Sequence, residues 1–176
     1  MNDTPENKIP VIAVVGATAS GKTALAVEIC RRFNGEVVSA DSMQIYKGMS
    51  VATAKPTPEE MRGIKHHLID FLPVTEKYSV ARYIADASAA VADIVSRSKT
   101  PVVAGGTGLY ADSLLQGVVF EDEPDTAEVR QALRLRREKE GIDSLYAELE
   151  KIDPETAESL HINNEGRVLR ALEVYY

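Results

Sequence analysis

The chain has 176 residues, 44% of them hydrophobic and 27% charged, which suits one folded domain with a real core and a small appendage. Twenty basic against 27 acidic residues give a net charge of −7, which argues against a general affinity for nucleic acid. Cys30 is the single cysteine, which excludes an internal disulfide framework or a cysteine-based zinc site; the first residues are polar and no apolar run nears the length of a membrane span, so a cytoplasmic chain is expected.

The first element is carried by "VIAVVGATASGKT". Residues 11–15 are a short apolar, β-rich run, and residues 22–33 read as a helix with Leu25, Ala26, Ile29 and Phe33 at helical spacing. Between them stands GxxxxGK[ST], a loop that wraps backbone N–H groups around an anion and adds the positive end of a helix. The candidate phosphate ligands are therefore Gly16, Ala17, Thr18, Ala19, Ser20, Gly21, Lys22 and Thr23. Lys22 would reach a terminal phosphate and the Thr23 hydroxyl would hold Mg²⁺. Cys30, inside that helix, is expected to be a packed small side chain.

Residues 36–39 form the next strand, expected beside the first, with Asp41 at its end. Asp41 either caps the turn that follows or accepts a proton from a nucleophile attacking a phosphate-bearing substrate. Thr57-Pro58-Glu59-Glu60 is a capping box with proline at the first helical position. Residues 67–71 make a thin strand whose Asp70 could stand in as a metal carboxylate. His66 and His67 would face opposite sides, so no zinc chelate is expected. After Ser79 a helix carries one apolar stripe of Val80, Ile84, Ala87, Val91 and Ile94.

Residues 101–104 are the best inner strand and end in Gly105-Gly106-Thr107-Gly108. P-loop hydrolases usually place an acidic Mg²⁺ ligand after such a strand, and here there is none. No guanine-reading N-K-x-D occurs either. Alternating strands and helices predict an α/β fold: a P-loop NTPase-like parallel sheet with helices on both faces, its ligand at the carboxyl ends of the strands. From about residue 112 only helices follow. Asp125 starts one that Gly141 stops, Asp153-Pro154 starts another, and Asn164 caps a last one bearing Val168, Leu169, Leu172 and Val174. The expected division is a core over residues 1–113, a helical insertion over 114–163, and the start of a return to the core over 164–176. An acidic stretch, "EDEPDTAE", precedes "RQALRLRREK", where Arg130, Arg134 and Arg137 share a helix face that by itself reads as solvated.

The blocks "GATASGKT", "SADSMQIYKGMSVATAKP", "HHLID", "YSVARY", "PVVAGGTGLY" and "DPETAESLHINNEGRVLRALEVY" resemble the ordered motifs of bacterial tRNA dimethylallyltransferases. The resemblance runs from about Pro10 to the last residue. Ala17, Ala52, Ile162 and Asn164 depart from the usual pattern, where proline, glycine, proline and aspartate are common. The resemblance implies that the loop holds the diphosphate of dimethylallyl diphosphate, with pyrophosphate as leaving group. It implies that Lys22 and a Thr23-held Mg²⁺ stabilise the departing charge, and that Asp41 accepts hydrogen from the exocyclic amine of the adenine next to the anticodon. Thr107 would lie against the donor diphosphate, or serve as a helix N-cap. Ser42 and Gln44 would meet the acceptor base, Gln44 being alternatively a turn-stabilising amide. The Arg130, Arg134 and Arg137 face would touch tRNA phosphates. Further implied are a flipped adenine, no membrane partner, a monomer at full length, and missing C-terminal elements that complete the sheet and supply an arginine to the diphosphate. A P-loop metabolite kinase, with Asp41 as base for a hydroxyl, and a diphosphate- or RNA-binding fragment without turnover are the rival readings.

Overall fold

The structure is a computed structural model and describes residues 9–49, 53–118 and 126–176. Four strands, β1 (Ile12–Val15), β2 (Gly35–Ser39), β3 (His66–His67) and β4 (Thr100–Gly105), form one sheet in the order β1-β4-β2-β3. Every pairing is parallel. Helices α1 (Lys22–Arg32), α2 (Pro58–Met61), α3 (Val80–Ser96) and α4 (Gly108–Leu115) accompany it.

Period-two alternation in the two central strands decides which helix covers which face. Val37 and Val102 pack with Val14 against Ala26 and Cys30 of α1. Val38 and Val103 point the other way, against Tyr83, Ala87, Val91 and Ile94 of α3 and Tyr110 and Ala111 of α4. Those four valines are almost fully buried and contribute about 1.5–3 kcal/mol each. Helices on both faces and an all-parallel sheet are as the alternation of elements predicts. Burial of Cys30 pushes its thiol up to about 11, as befits a packed side chain.

Two strand expectations are corrected. The 36–39 strand does not neighbour the loop strand, because β4 lies between them, with Val37 opposite Val102 and Val102 opposite Ile12. The third strand does not run over 67–71 but stops at His67, because Leu68 and Asp70 adopt left-handed backbone conformations (φ 59° and 54°) that no strand accommodates. On α3 the buried stripe gains Tyr83, whose ring stacks on Tyr110 at 4.1 Å, while Val80 and Ile84 are only partly buried. The Thr57–Glu60 capping box forms as expected.

The chain divides into two compact units, residues 1–120 and 121–176. The second contains α5 (Ala127–Glu140), α6 (Ile142–Ile152), α7 (Pro154–Ser159) and α8 (Glu165–Tyr175). Leu133, Leu145, Leu149, Ala157, Val168 and Leu172 form its core. Helix α8 packs within this unit, where Val168 and Leu172 meet Leu133 of α5 and Leu145 and Leu149 of α6. Gly141 ends α5 with φ 81°, and Asp153 caps α7 by accepting from the Thr156 N–H. Asn164 occupies the N-cap position of α8 without a side-chain capping bond. Ala52 and Asp125, singled out above, lie outside the described residues.

Candidate active site

β1 delivers the chain to Gly16 at φ 154°, and Ala19 and Gly21 then take left-handed conformations (φ 63° and 81°) before α1 begins at Lys22. Left-handed residues interspersed in a short loop turn successive N–H groups toward one concavity, which is how a backbone makes an anion nest. Lys22 arches back over the loop, its ammonium donating to the Ala17 carbonyl at 2.5 Å. The Thr23 hydroxyl-bearing side chain faces the same space. A cavity of about 450 Å³ opens there, lined by residues 18–24 of the loop, Asp41, Gln44, Glu60 and Gly105 among others. Its size suits a small ligand. It sits at the carboxyl ends of β1, β4 and β2, where ligands of parallel sheets belong.

Although β2 is one strand further away than expected, Asp41 still reaches this cavity. Its Oδ1 accepts from the backbone N–H of Met43 (2.9 Å) and of Gln44 (3.3 Å), so the carboxylate caps the turn that follows. Its Oδ2 lies toward the P-loop: a methyl placed on Gly106 would stand 3.9 Å from Asp41 Oδ2, 4.0 Å from Lys22 Nζ and 3.7 Å from the Gly16 carbonyl. One point above the glycine turn thus touches the loop, the cation and the carboxylate.

Thr107 stands at the N-cap position of α4 but makes no capping bond. Its Oγ1 instead accepts from the Ser42 N–H (2.9 Å) and donates to Ser42 Oγ (3.2 Å), fastening the segment after Asp41 to the glycine turn. Gln44 donates its amide to the carbonyls of Thr53 (3.2 Å) and Ala54 (3.1 Å), and accepts from Ser39 Oγ (3.4 Å). In this structure it is the turn-stabilising amide. Asp70 is not a metal carboxylate of the site. It pairs with the nearly buried Lys55 ammonium and accepts from the Gly48 N–H, outside the cavity.

Among the described residues no group of three or more His, Cys, Asp and Glu could hold a metal ion. His66 bonds the Ile64 carbonyl through Nδ1, and burial pushes its pKa down. His67 bonds Glu36 at 2.7 Å. The three arginines of α5 are not one bare basic face. Arg130 pairs with the buried Glu173 of α8 at 2.5 Å, and Arg137 with Glu165 at 2.6 Å. Arg134 is exposed and lines a groove with Arg170 and Glu173.

The pattern of residues missed Glu36. This strand carboxylate is 4% exposed, accepts two bonds from Arg97 (2.6 and 2.7 Å), and bonds Lys99 and His67. The Arg97 guanidinium chiefly holds its carboxyl well below the usual range, against the opposing effect of burial. A glutamate opening "EVVS" was the available signal: on a strand buried on both faces it must be paired.

A P-loop sequence leading into α1, with an all-parallel sheet carrying helices on both faces, defines a P-loop α/β fold. The profile of the family described as IPP transferase matches residues 44–176. The tRNA dimethylallyltransferase of Caldanaerobacter subterraneus subsp. tengcongensis is 48% identical over 167 residues, 95% of this chain and 53% of that protein. The tRNA dimethylallyltransferase of Bacillus subtilis is 44% identical over 176 residues, 100% of this chain and 55% of that protein. The crystal structure of the full-length tRNA isopentenylpyrophosphate transferase from Bacillus halodurans matches with TM-score 0.64 and 42% identity, over 96% of this chain and 55% of that one. A eukaryotic dimethylallyltransferase acting on tRNA matches with TM-score 0.74 and 35% identity, over 94% and 41%. This chain belongs to the IPP transferase family. It spans about half the length of the curated relatives it matches.

Proposed function

We propose that this chain is the donor-binding part of a tRNA dimethylallyltransferase, which moves a dimethylallyl group from its diphosphate to the exocyclic amine of the adenine beside the anticodon. The observation that carries this reading is the meeting of P-loop, Lys22 and Asp41 around one point above Gly106. Names shared by the relatives point to tRNA and a dimethylallyl group.

In the proposed reaction the bond from the allylic carbon to the diphosphate oxygen breaks, and pyrophosphate leaves with the electron pair. The adenine nitrogen forms the new bond to carbon and surrenders a proton. Loop amides and Lys22 stabilise the charge building on the leaving group, the larger share of catalysis for a carbon whose cation is delocalised. Asp41, oriented by its turn, aligns the weakly basic amine and takes the proton late. Thr107, held by Ser42, keeps the glycine turn against the diphosphate side. Thr23 lines the cavity, and its hydroxyl is a hard oxygen donor that would hold an Mg²⁺ whose other ligands are diphosphate and water. Bound at Thr23, such an ion would add positive charge against the leaving group.

A buried anticodon base must leave its stack, which costs a few kcal/mol and is cheapest in a single-stranded loop. Arg134 and its neighbours on α5 are proposed to touch the phosphates of the anticodon arm. The reading also implies a cytoplasmic protein; no helix among the described residues is long and apolar enough to cross a membrane. A kinase reading is disfavoured because β4 ends in Gly105-Gly106-Thr107-Gly108 without a carboxylate and Asp70 is turned to Lys55.

The test is single-turnover prenylation of an unmodified anticodon stem-loop, run with this chain and with a chimera completed by the C-terminal half of a full-length relative. Transfer is expected from the chimera, and Asp41→Ala in it should cut the rate by roughly 10² to 10⁴ with pyrophosphate affinity unchanged. A chimera that folds yet transfers nothing, or an Asp41→Ala rate within a few-fold of the parent, would contradict the assignment.

A further inference from the structure

We infer that Met43 is the residue that reads the hydrocarbon of the donor: its side chain is the apolar wall against which the transferred group rests, an assignment that rests on the proposed transfer reaction.

The chemistry of the cavity lining leads to this side chain. A prenyl diphosphate has two ends. The diphosphate asks for N–H groups and positive charge, and the P-loop with Lys22 supplies both. The branched hydrocarbon makes no hydrogen bond and asks for apolar surface. For that end the described lining residues offer hydroxyls, an amide, carboxylates and the single methyls of its alanines, Ala54 and Ala104 among them. Met43 is the one large apolar side chain in the described lining, and it is 45% exposed.

The turn after Asp41 fixes where Met43 stands. Its N–H donates to Asp41 Oδ1 (2.9 Å), so its backbone is one hydrogen bond from the carboxylate assigned to the acceptor amine. Two residues on, Ile45 is 1% exposed, and its carbonyl accepts from the N–H groups of Phe71 and Leu72 (3.0 Å each). Ile45 therefore anchors the turn to the core, and Met43 is left at the cavity. Turns favour Gly, Pro, Asn, Asp and Ser, and the backbone bond of Met43 needs no thioether. A ligand does. The unbranched, polarisable methionine side chain moulds itself to an irregular apolar group. Carbons that run from a diphosphate at the loop to an amine at Asp41 end beside the residue whose amide holds that carboxylate.

The experiment is calorimetric titration of this chain and its Met43→Ala, Met43→Gln and Met43→Leu variants with pyrophosphate and with dimethylallyl diphosphate, Mg²⁺ present; melting temperatures confirm that each is folded. One methylene of pocket contact is worth roughly ten-fold or more, so Met43→Ala should weaken dimethylallyl diphosphate about ten-fold or more and leave pyrophosphate within about two-fold. Met43→Gln, of similar length but polar, should do the same. Met43→Leu, which keeps the apolar volume, should stay close to the parent. Unchanged dimethylallyl diphosphate affinity in Met43→Ala, or equal weakening of both ligands, overturns the inference while leaving the proposed function standing. A parent chain that binds neither ligand overturns both.

Discussion

Replacing Gly105 with alanine should unfold the floor of the site, and the size of the effect can be worked from the strand geometry. The added methyl would stand 2.1 Å from the Ala40 oxygen, 2.3 Å from its carbonyl carbon and 2.7 Å from its Cα. Close carbon–oxygen contacts run at about 3.3 Å or more, so the two backbones must part by roughly 1 Å. Ala40 is fully buried, and its N–H donates to the Ala104 carbonyl (2.9 Å) while its own carbonyl accepts from the Thr107 N–H (3.0 Å). Stretching two buried backbone bonds costs about 1–3 kcal/mol each when groups are left unsatisfied, and overpacking adds about 1–3 kcal/mol, so a loss of about 3–9 kcal/mol is expected. That is a large share of the ~5–15 kcal/mol that typically holds a domain. Urea unfolding followed by far-ultraviolet circular dichroism, with Gly106→Ala as the matched control, reads it directly. A Gly105→Ala chain within about 1 kcal/mol of the parent would refute the close-approach argument.

Two further outcomes follow from the helical unit. Arg130, then Thr126, hold the buried Glu173 carboxyl down to about 2 against the opposing effect of burial. Since the folded value lies below the unfolded one, near 4.5, this pairing stabilises fully above that value and loses its contribution as pH falls toward 2; acid titration of Glu173→Gln, monitored by thermal melting, should lack that component. Arg134→Gln should lower the salt-dependence slope of tRNA binding by roughly 0.7–0.9 without changing the melting temperature, whereas Arg130→Gln should also destabilise by about 1–3 kcal/mol through Glu173. Filter binding across a salt series, with melts of both variants, checks the pair; an unchanged slope for Arg134→Gln returns that arginine to the solvated surface.

Local chemistry was legible in the chain and long-range pairing was not. The P-loop, the Thr57–Glu60 capping box and the Asp153 cap are each written in a few adjacent residues, and the structure has them. The sheet order escaped because nothing local says that β4, formed 60 residues later, slides between β1 and β2; Gly105 permits it, and a glycine before a turn looks like punctuation. The strand from His67 broke early because two side-chain-bearing residues took left-handed backbone to let Asp70 meet Lys55, a tertiary contact overriding an apolar run. Helical spacing did put Arg130, Arg134 and Arg137 on α5. It could not show that α8 brings Glu173 and Glu165 to two of them. Asp41 was singled out through its position after a strand and lines the cavity, while the commitment of the Gln44 amide to the Thr53 and Ala54 carbonyls, nine and ten residues on, has no local signal.

The central claim is that this P-loop holds a diphosphate leaving group and not a nucleotide donating its γ-phosphate. Thermal melting of this chain with Mg²⁺ and matched concentrations of dimethylallyl diphosphate, pyrophosphate or ATP puts that claim to the test, since a ligand at 100 times its Kd stabilises by about 2.7 kcal/mol. The account predicts larger shifts with dimethylallyl diphosphate and pyrophosphate than with ATP. A larger shift with ATP than with the prenyl donor would contradict it.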